Sequence, residues 1–305
     1  MRLSVLDIGT NTILLLVADV DTQGTITPVG HGHEIVRLGV GVDEQRRILP
    51  EALQRAEETI GRFVAEARRH HSEQIIACGT SALRDAANRA EIVTHIRNTT
   101  GVDIEILSGN EEAELTYLGA IGEFTRPGQD QKFAVLDIGG GSTEIILGTG
   151  TEVHSKQSYD IGCVRLTERF LETSPPSSLG ISHALKSIRE HLASQHPPDA
   201  DARFIGVAGT LTTLGALDLN LPAYDPLAVS GHRLKRDTIE SIFNRLRIRT
   251  KEEIQGIPQI LPGRADIMLA GILILLEVMK QLEAEEITVS DRGLRYGVAR
   301  RAVLG

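Results

Sequence analysis

The sequence predicts an α/β fold made of two domains, and three observations support this prediction. The chain has 305 residues, a length that suits two domains of ordinary size. Hydrophobic residues make up 41% of it, which is enough to build a core in each half. The motif Val-Leu-Asp-Ile-Gly occurs twice, at residues 5–9 and 135–139, and similar turn and strand residues follow each copy.

Each copy of the motif predicts a β-hairpin. An apolar strand ends at an acid and a glycine, a short turn of small or hydroxylated residues follows, and a second apolar run begins at residue 13 or 145. The rest of the chain alternates between helical and strand periodicity. We predict helices at 50–69, 81–98, 110–123, 264–283 and 294–303, and strands at 75–78, 104–107, 205–208 and 287–290.

Two domains that each begin with a hairpin and continue with mixed strands and helices are typical of the actin-like (ribonuclease-H-like) ATPase fold. We place the domains at residues 1–125 and 126–305, because Arg126-Pro127-Gly128 predicts a loop just before the second hairpin. The last helix is expected either in the second domain or packed back on the first. The active site is expected in the cleft between the domains, a usual place for small-molecule sites.

Charge and composition argue against several classes of protein. A net charge of −9 disfavours binding to a nucleic-acid polymer. The most apolar stretch, residues 267–276, has about half of the ~20 residues that a membrane span needs, so no membrane association is expected. Met1-Arg2 leads directly into a strand-like segment, and Cys78 and Cys163 indicate neither a metal motif nor a disulfide framework. A cytoplasmic location is therefore expected.

Two turns are candidate phosphate sites, because glycines and hydroxylated residues offer N–H and O–H donors to an anion. The first turn consists of Gly9, Thr10, Asn11 and Thr12. An ordinary Asx or Ser/Thr turn explains it equally well. The second turn consists of Gly139, Gly140, Gly141 and Ser142. Three consecutive glycines lose much conformational entropy on folding, which favours a ligand that must approach the backbone closely.

Three acids in the hairpins are candidate ligands for Mg²⁺, which prefers oxygen donors. Asp7 and Asp137 occupy equivalent positions of the two copies. Glu144 has no acidic counterpart, because the first copy has Leu14 there. We expect Asp137 and Glu144 to flank the second turn and hold the ion, with Asp7 contributing from the other domain. The alternative for Glu144 is an exposed strand position.

Residues 108–112, Ser-Gly-Asn-Glu-Glu, predict the start of a helix. Ser108 and Glu111 have the spacing of a capping box, which gives Glu111 a structural role. Glu112 is left without such a role, and a helix start facing a cleft can hold a general base over the attacking water. The alternative role for Glu112 is structural, because a carboxylate in the first turn interacts favourably with the helix dipole.

Two further segments are weaker phosphate candidates. Arg84 lies in a predicted first helical turn, where a cation is disfavoured, so either it faces a phosphate or it is exposed beside Asp85. Gly209 and Thr210 begin a predicted helix after a strand, which suits an anion but also an ordinary strand–helix junction.

Together these segments resemble the exopolyphosphatase/guanosine-pentaphosphatase (Ppx/GppA) family. The similarity covers nearly the whole chain: the Asp7 and Asp137 hairpins and residues 80–88, 108–115, 162–170, 209–214, 263–270 and 290–297. It implies an actin-like fold and Mg²⁺-dependent removal of terminal phosphate, with Mn²⁺ as an alternative ion. It also implies a catalytic glutamate at Glu112, and metal or phosphate contacts at Asp137 and Glu144.

The chain departs from the family pattern at two places. Threonines replace the usual serines at positions 10 and 12, which keeps both hydroxyl groups. Longer relatives have a C-terminal helical extension that the sequence lacks after Gly305, so processivity on long chains is an open question.

Three functions therefore compete. The first is hydrolysis of polyphosphate, guanosine pentaphosphate or both; the second is a kinase or ATPase of the same fold; the third is a non-catalytic nucleotide- or alarmone-binding module. The sequence does not decide between the substrates, the chain lengths or the oligomeric states, among which a homodimer is one option. Seven cations within residues 233–251 form either a track for a polyanion or a solvated helix face.

Overall fold

The computed structural model describes residues 1–125, 130–195, 197–199, 201–225 and 227–305. The chain forms two compact units: Met1–Gly119 together with Arg292–Gly305, and Ala120–Asp291. The loop predicted at Arg126-Pro127-Gly128 lies outside the described residues.

The first unit is built on a five-stranded sheet with the order β3-β2-β1-β4-β5. Strands β1 to β3 form an antiparallel meander, whereas β1, β4 and β5 run parallel. The elements are β1 (Arg2–Ile8), β2 (Thr12–Val20), β3 (Ile26–Ile35), α1 (Val42–Gln45), α2 (Pro50–Arg69), β4 (Gln74–Gly79), α3 (Ser81–Asp85), α4 (Arg89–Thr100), β5 (Ile104–Ile106) and α5 (Gly109–Ala120). A short 3₁₀ turn, Ile121–Glu123, follows α5.

The second unit is built on a six-stranded sheet with the order β10-β11-β9-β6-β7-β8. Its described elements are β6 (Lys132–Ile138), β7 (Thr143–Thr149), β8 (Glu152–Tyr159), α6 (Cys163–Phe170), α7 (Ser178–Leu192), β9 (Arg203–Val207), α8 (Ala208–Asp218), β10 (Arg233–Lys235), α9 (Arg236–Leu246), α10 (Lys251–Gln255), α11 (Met268–Gln281) and β11 (Glu286–Val289). The last helix, α12 (Leu294–Leu304), belongs to the first unit.

The two sheets share one topology. Each has three antiparallel strands followed by two parallel ones, in the order β3-β2-β1-β4-β5 and β8-β7-β6-β9-β11, with β10 added at the edge of the second. This order is that of the ribonuclease-H-like fold, and its repetition confirms the predicted two-domain α/β fold of the actin-like type. The sequence repeat at residues 5–9 and 135–139 thus marks the central strand of each sheet.

Both faces of the first sheet are covered by helices. Alternate residues of a strand point to opposite faces. Leu6 and Ile8 of β1 therefore pack in one core with residues of α2 and α4. Leu3 and Val5 point the other way and pack against α12. Asp7 continues the row of Leu3 and Val5, which places it on the face that α12 covers.

Some predicted elements differ from the structure. The helix predicted at 81–98 is two helices, α3 and α4, because Ala86 is extended and Asn88 turns inward. The Asn88 side chain exchanges two hydrogen bonds of 3.0 Å with the backbone of Ile48, forty positions away. Helix α11 begins at Met268, four residues later than predicted, after a turn in which Ile267 N–H donates to Arg264 O. In the part of the chain that the structure describes, no helix has the length and apolar character to cross a membrane.

Candidate active site

The polar candidates lie after the carboxyl ends of parallel strands, where ligands bind in open α/β sheets. In the first sheet β1 pairs in parallel with β4, and β4 with β5. The first turn follows β1, Arg84 follows β4 in α3, and Glu112 follows β5 in α5. In the second sheet Asp137 pairs with Val207, so the second turn and the start of α8 leave neighbouring strands at the same edge.

The first turn, residues 9–12, is held by backbone hydrogen bonds. Gly9 N–H donates to Thr12 O at 3.0 Å and closes the turn. The carbonyl oxygen of Thr10 accepts a 2.8 Å bond, and that of Asn11 accepts bonds of 3.0 and 2.9 Å, all from N–H groups of segment 36–39. Because N–H and C=O point in opposite directions across a trans peptide, the N–H groups of Asn11 and Thr12 point away from this segment. These N–H groups, rather than that of Gly9, are the ones suited to an anion.

The second turn, residues 139–142, repeats this geometry. Gly139 N–H donates to Ser142 O at 3.0 Å. The carbonyls of Gly139 and Gly140 accept bonds of 2.8 to 3.2 Å from the first N–H groups of α6. The N–H groups of residues 140 and 141 therefore point away from α6. Successive N–H groups with a common direction form an anion-binding concavity.

Gly162 and Arg165 hold the second turn against α6. A Cβ on Gly162 would lie 2.3 Å from Gly140 O and 2.5 Å from Gly141 N, so only glycine permits this approach. The Arg165 side chain is 7% exposed, and its Nε donates to Gly141 O at 2.9 Å. This bond turns the N–H group of Ser142 away from α6 as well.

Asp137 and Glu144 lie directly opposite each other on β6 and β7, and Ser158 lies opposite Glu144 on β8. Directly opposite residues share a face of the sheet, so the three form one row. Glu144 is only 1% exposed, and Ser158 Oγ donates to its Oε1 at 2.6 Å. The alternative of an exposed strand position for Glu144 is therefore wrong.

This row fits a Mg²⁺ ion held through few protein ligands. Mg²⁺ is usually bound by one or two carboxylates, with waters and substrate phosphates as the other ligands. Asp137 and Glu144 supply two carboxylates beside the second turn. Within the described ranges, no group of three or more His, Cys, Asp or Glu side chains is arranged to hold a metal. Asp7 belongs to the other unit and has different neighbours.

Glu112 is a buried acid held by an arginine. The residue is 8% exposed, and its Oε2 accepts a 2.8 Å hydrogen bond from Arg84 Nη1. The same nitrogen donates to Leu107 O at 3.0 Å, so the guanidinium is fixed between β5 and α5. Burial raises the pKa of Glu112, and Arg84 opposes this rise. An acid with a raised pKa in a protected place suits a general base.

Glu111 has the structural role predicted for it. Its Oε2 accepts bonds from Ser108 N–H at 2.8 Å and Ser108 Oγ at 2.7 Å, while Glu111 N–H donates to Ser108 Oγ at 3.3 Å. The predicted capping box is confirmed. Since Glu111 is exposed and Glu112 is buried, the structure separates two neighbouring acids that the sequence alone barely distinguishes.

Asp7 is close enough to Glu112 for their charges to interact. Burial, and then the charge of Glu112, raise the pKa of Asp7 to about 7, while Arg295 at the start of α12 opposes this. Arg295 Nη1 also donates to Leu15 O at 2.9 Å, which anchors the guanidinium on the sheet. A cation would stabilise a buried carboxylate of this kind, so Asp7 stays a candidate metal ligand.

Gly209 and Thr210 begin α8, next to a buried arginine. A Cβ on Gly209 would lie 1.6 Å from Arg264 Nη1, so the guanidinium lies against the glycine. Arg264 is 7% exposed, and its Nε has no hydrogen-bond partner among the residues that the structure describes. A Cβ on Gly271 would collide with Thr210 Oγ1, so Thr210 packs closely against α11. This packing explains the position of Thr210 equally well as a role in phosphate binding.

The basic stretch, residues 233–251, is partly neutralised by acids from outside it. Arg233 pairs with Glu286, Arg236 with Glu285 at 3.0 Å and Lys251 with Asp266 at 3.3 Å. Arg245 and Arg247 are exposed, and Arg249 is half-buried. Arg245 and Arg249 do not share a helical face, because α9 ends at Leu246.

The structure thus brings Asp7, Arg84 and Glu112 together in the first unit. In the second unit it groups Asp137 and Glu144 with the second turn. Sequence reasoning missed four buried or anchored side chains: Ser158, Arg165, Arg264 and Arg295. The segments 162–170, 263–270 and 290–297, which carry the family similarity, contain Arg165, Arg264 and Arg295, but no signal in the sequence marked Ser158.

Comparison with known proteins decides the family. A family model described as "Ppx/GppA phosphatase family" matches residues 16–304. The chain belongs to this family. The similarity inferred from the sequence motifs is confirmed, and with it the prediction that the chain is a hydrolase of the phosphatase type.

Two curated relatives of this Ppx/GppA family member are named as phosphatases. "Exopolyphosphatase 2" of Mycobacterium tuberculosis is 37% identical, and the match covers 98% of this chain and 97% of that protein. A "Bifunctional 3-dehydroquinate synthase/phosphatase" of Fusobacterium nucleatum is 30% identical, and the match covers 98% of this chain but 46% of that protein.

Solved structures agree with the fold. A crystal structure of an "exopolyphosphatase-like protein" superposes with a TM-score of 0.93 at 32% identity, covering 100% of this chain and 99% of that one. The Ppx/GppA family member of Aquifex aeolicus gives a TM-score of 0.83 at 30% identity, covering 100% and 98%. The predicted fold is therefore shared over the full length of both chains.

Proposed function

We propose that this chain is an exopolyphosphatase, which hydrolyses the terminal phosphoanhydride bond of inorganic polyphosphate. The observation that carries the proposal is the buried Glu112, fixed by Arg84 at 2.8 Å after the carboxyl end of β5. A module that only binds a nucleotide needs no such acid. The names of the curated relatives, and the membership in a phosphatase family, support the same substrate class.

In this proposal each group has a defined task. Glu112 accepts a proton from the water that attacks the terminal phosphorus, and the bond to the leaving phosphate oxygen breaks. Arg84 fixes the carboxylate, and its planar guanidinium has a geometry that suits phosphate oxygens. The N–H groups of the first and second turns bind phosphate oxygens. Since these donors are already positioned by backbone bonds, they need little reorganisation when substrate arrives.

A divalent cation completes the proposal. Asp137 and Glu144 would hold Mg²⁺, or Mn²⁺ in its place, and Asp7 is the proposed cation ligand of the first unit. When bound, the ion would neutralise charge on the phosphate oxygens. Activity should disappear in a chelator and return with Mg²⁺ or Mn²⁺. Full activity of metal-free protein would refute the metal role, and an unchanged Mg²⁺ requirement in Glu144→Ala would remove that residue from it.

The decisive experiment measures phosphate release from polyphosphates of several lengths, guanosine pentaphosphate and ATP. We expect release from polyphosphate, and guanosine pentaphosphate is the proposed additional substrate. ATP supplied with sugar acceptors should give no phosphorylated sugar; such a product would favour a kinase. Tight nucleotide binding without release of phosphate from any substrate would favour the binding module.

A cytoplasmic location is proposed as well. The two cysteines, Cys78 and Cys163, are free and buried, which suits a reducing compartment.

A further inference from the structure

Ser158 is a polar residue whose position depends entirely on strand register. It lies on β8, fourteen positions beyond Glu144, and the ladder brings the two residues directly opposite each other. Its hydroxyl donates to Glu144 Oε1 at 2.6 Å, the short distance expected for an O–H donor on a charged acceptor. The bond is part of the row that runs from Asp137 through Glu144 to Ser158 across three strands.

The equivalent row in the first sheet has a different chemistry. Asp7 pairs with Leu14, and Leu14 pairs with His33, so the central position is apolar. The acid at the centre of the row and the hydroxyl beside it therefore occur together in the second sheet only. This pairing indicates that the hydroxyl serves the acid rather than the fold that both sheets share.

We propose that Ser158 is a positioning residue, which fixes the Glu144 carboxylate on the face of the sheet that carries Asp137 and thereby sets the affinity of this pair for a divalent cation. The inference rests on the proposed metal role of Asp137 and Glu144. Donors to metal-binding carboxylates restrict their orientation, and their loss typically costs about 10- to 100-fold in metal affinity. Burial strengthens the effect, because water has little access to replace the lost donor at a residue that is 1% exposed.

The test is direct titration of the protein with Mn²⁺, with the free ion measured by electron paramagnetic resonance. Ser158→Ala should weaken Mn²⁺ binding by about 10-fold or more, and Ser158→Thr, which keeps the hydroxyl on a β-branched side chain suited to a strand, should restore most of it. The Mg²⁺ concentration for half-maximal phosphate release should rise in parallel, while KM for polyphosphate at saturating Mg²⁺ changes little.

Ser155→Ala is the matched control, because Ser155 lies exposed on the same strand and its side chain points to the other face. It should bind Mn²⁺ as the wild type does. If Ser158→Ala does not fold, Ser158→Cys, with similar volume and a weaker donor, replaces it.

Three results would contradict the proposal, and each has a different meaning. Wild-type affinity in folded Ser158→Ala would overturn the role of Ser158 and leave the metal role of Glu144 intact. Absence of Mn²⁺ binding by the wild type would overturn the metal role itself, and the role of Ser158 with it. A lower melting temperature with unchanged Mn²⁺ affinity would show that Ser158 only satisfies a buried carboxylate.

Discussion

At the scale of single residues, the chemistry depends on which of two adjacent acids is buried. Glu111 caps the start of α5 from the surface, and Glu112, the next residue along the helix, points inward to Arg84. A helix turns by about 100° per residue, so neighbours necessarily face different surroundings. A shift of one residue along the helix therefore separates a structural carboxylate from the proposed base.

Replacing Glu112 by Gln should keep its shape and remove its basicity. We expect kcat to fall by ~10²–10⁴ with little change in substrate binding, because a general base acts mainly in the transition state. The matched control is Glu111→Gln, whose amide oxygen still accepts from Ser108, and it should stay close to wild-type kcat. Steady-state phosphate release from polyphosphate measures both variants. A large fall in kcat for Glu111→Gln, with a nearly unchanged kcat for Glu112→Gln, would show that Glu112 is the wrong carboxylate.

The sequence revealed the acids and glycines better than it revealed their partners. Glu112 stood out because the capping box already explained Glu111, and the second turn stood out because three glycines in a row are costly. Arg295 and Ser158 could not be found in this way. Arg295 reaches the sheet from a distant helix, and Ser158 meets Glu144 only through the register of β7 and β8. Such pairings are fixed by tertiary structure and leave no local pattern.

At the scale of elements, the hairpins were predictable and the helix boundaries were less so. A repeated five-residue motif sufficed to locate the central strand of each sheet. The break between α3 and α4 depends on Asn88 bonding to Ile48, a contact forty positions away that no local propensity describes. Tertiary hydrogen bonds therefore overrode a helical pattern that is continuous in the sequence.

The contact between Gly162 and the second turn gives an element-level prediction. Gly162 has φ of −139°, which any residue can adopt, so Gly162→Ala tests the close approach alone. The added Cβ would collide with Gly140 O, and overpacking of this kind typically costs about 1–3 kcal/mol. We expect lower stability in urea unfolding and a large loss of phosphate release, because the N–H groups of the turn move.

Gly61→Ala is the control for that substitution. Gly61 lies inside α2, and a Cβ there meets no atom of the described ranges within 4 Å. Helix propensity alone should then stabilise the variant by about 0.5–1 kcal/mol with unchanged activity. If both variants change stability in the same direction, steric contact at Gly162 is not the cause.

Part of the basic stretch has a predicted role in binding substrate. This part consists of Arg245, Arg247 and Arg249. We expect them to guide the distal part of a long polyphosphate, since an acidic protein repels a polyanion at long range. Neutralising all three should raise KM for long chains and flatten its salt dependence, while tripolyphosphate and guanosine pentaphosphate are nearly unaffected. Michaelis–Menten measurements at two salt concentrations test this.

Neutralising three exposed arginines of the first unit, Arg68, Arg69 and Arg97, provides a control with the same change in net charge. An equal rise in KM for both triple variants would indicate a general charge effect. Equal loss on short and long substrates would place the stretch in catalysis or in packing, and no change would favour a solvated surface.

At the scale of the whole molecule, a buried acid makes folding depend on pH. The pKa of Asp7 is about 7 in the folded protein, against an ordinary value of 3.8. Between these values the folded state holds a proton that the unfolded state has lost, so stability falls as pH rises, and the penalty is complete above pH 7.

Asp7→Asn should remove this penalty. In chelator, we expect the variant to exceed the wild type in free energy of unfolding at pH 8, and the advantage to shrink as pH falls towards 4. Urea unfolding at several pH values measures both proteins. Added Mg²⁺ should stabilise the wild type at pH 8 more than the variant if Asp7 holds the ion. A difference independent of pH would contradict the assigned pKa.

The first unit is built from two segments that are far apart in the sequence, and this affects the order in which the units can fold during synthesis. A ribosome that has produced residues 1–291 has completed the second unit, but α12 is still missing from the first. Until then Leu3, Val5 and Leu16 lack their partners Leu294, Tyr296 and Val298, and an apolar face of the sheet stays open. The unit whose synthesis begins first is therefore completed last, and during that interval its exposed apolar face is prone to aggregation.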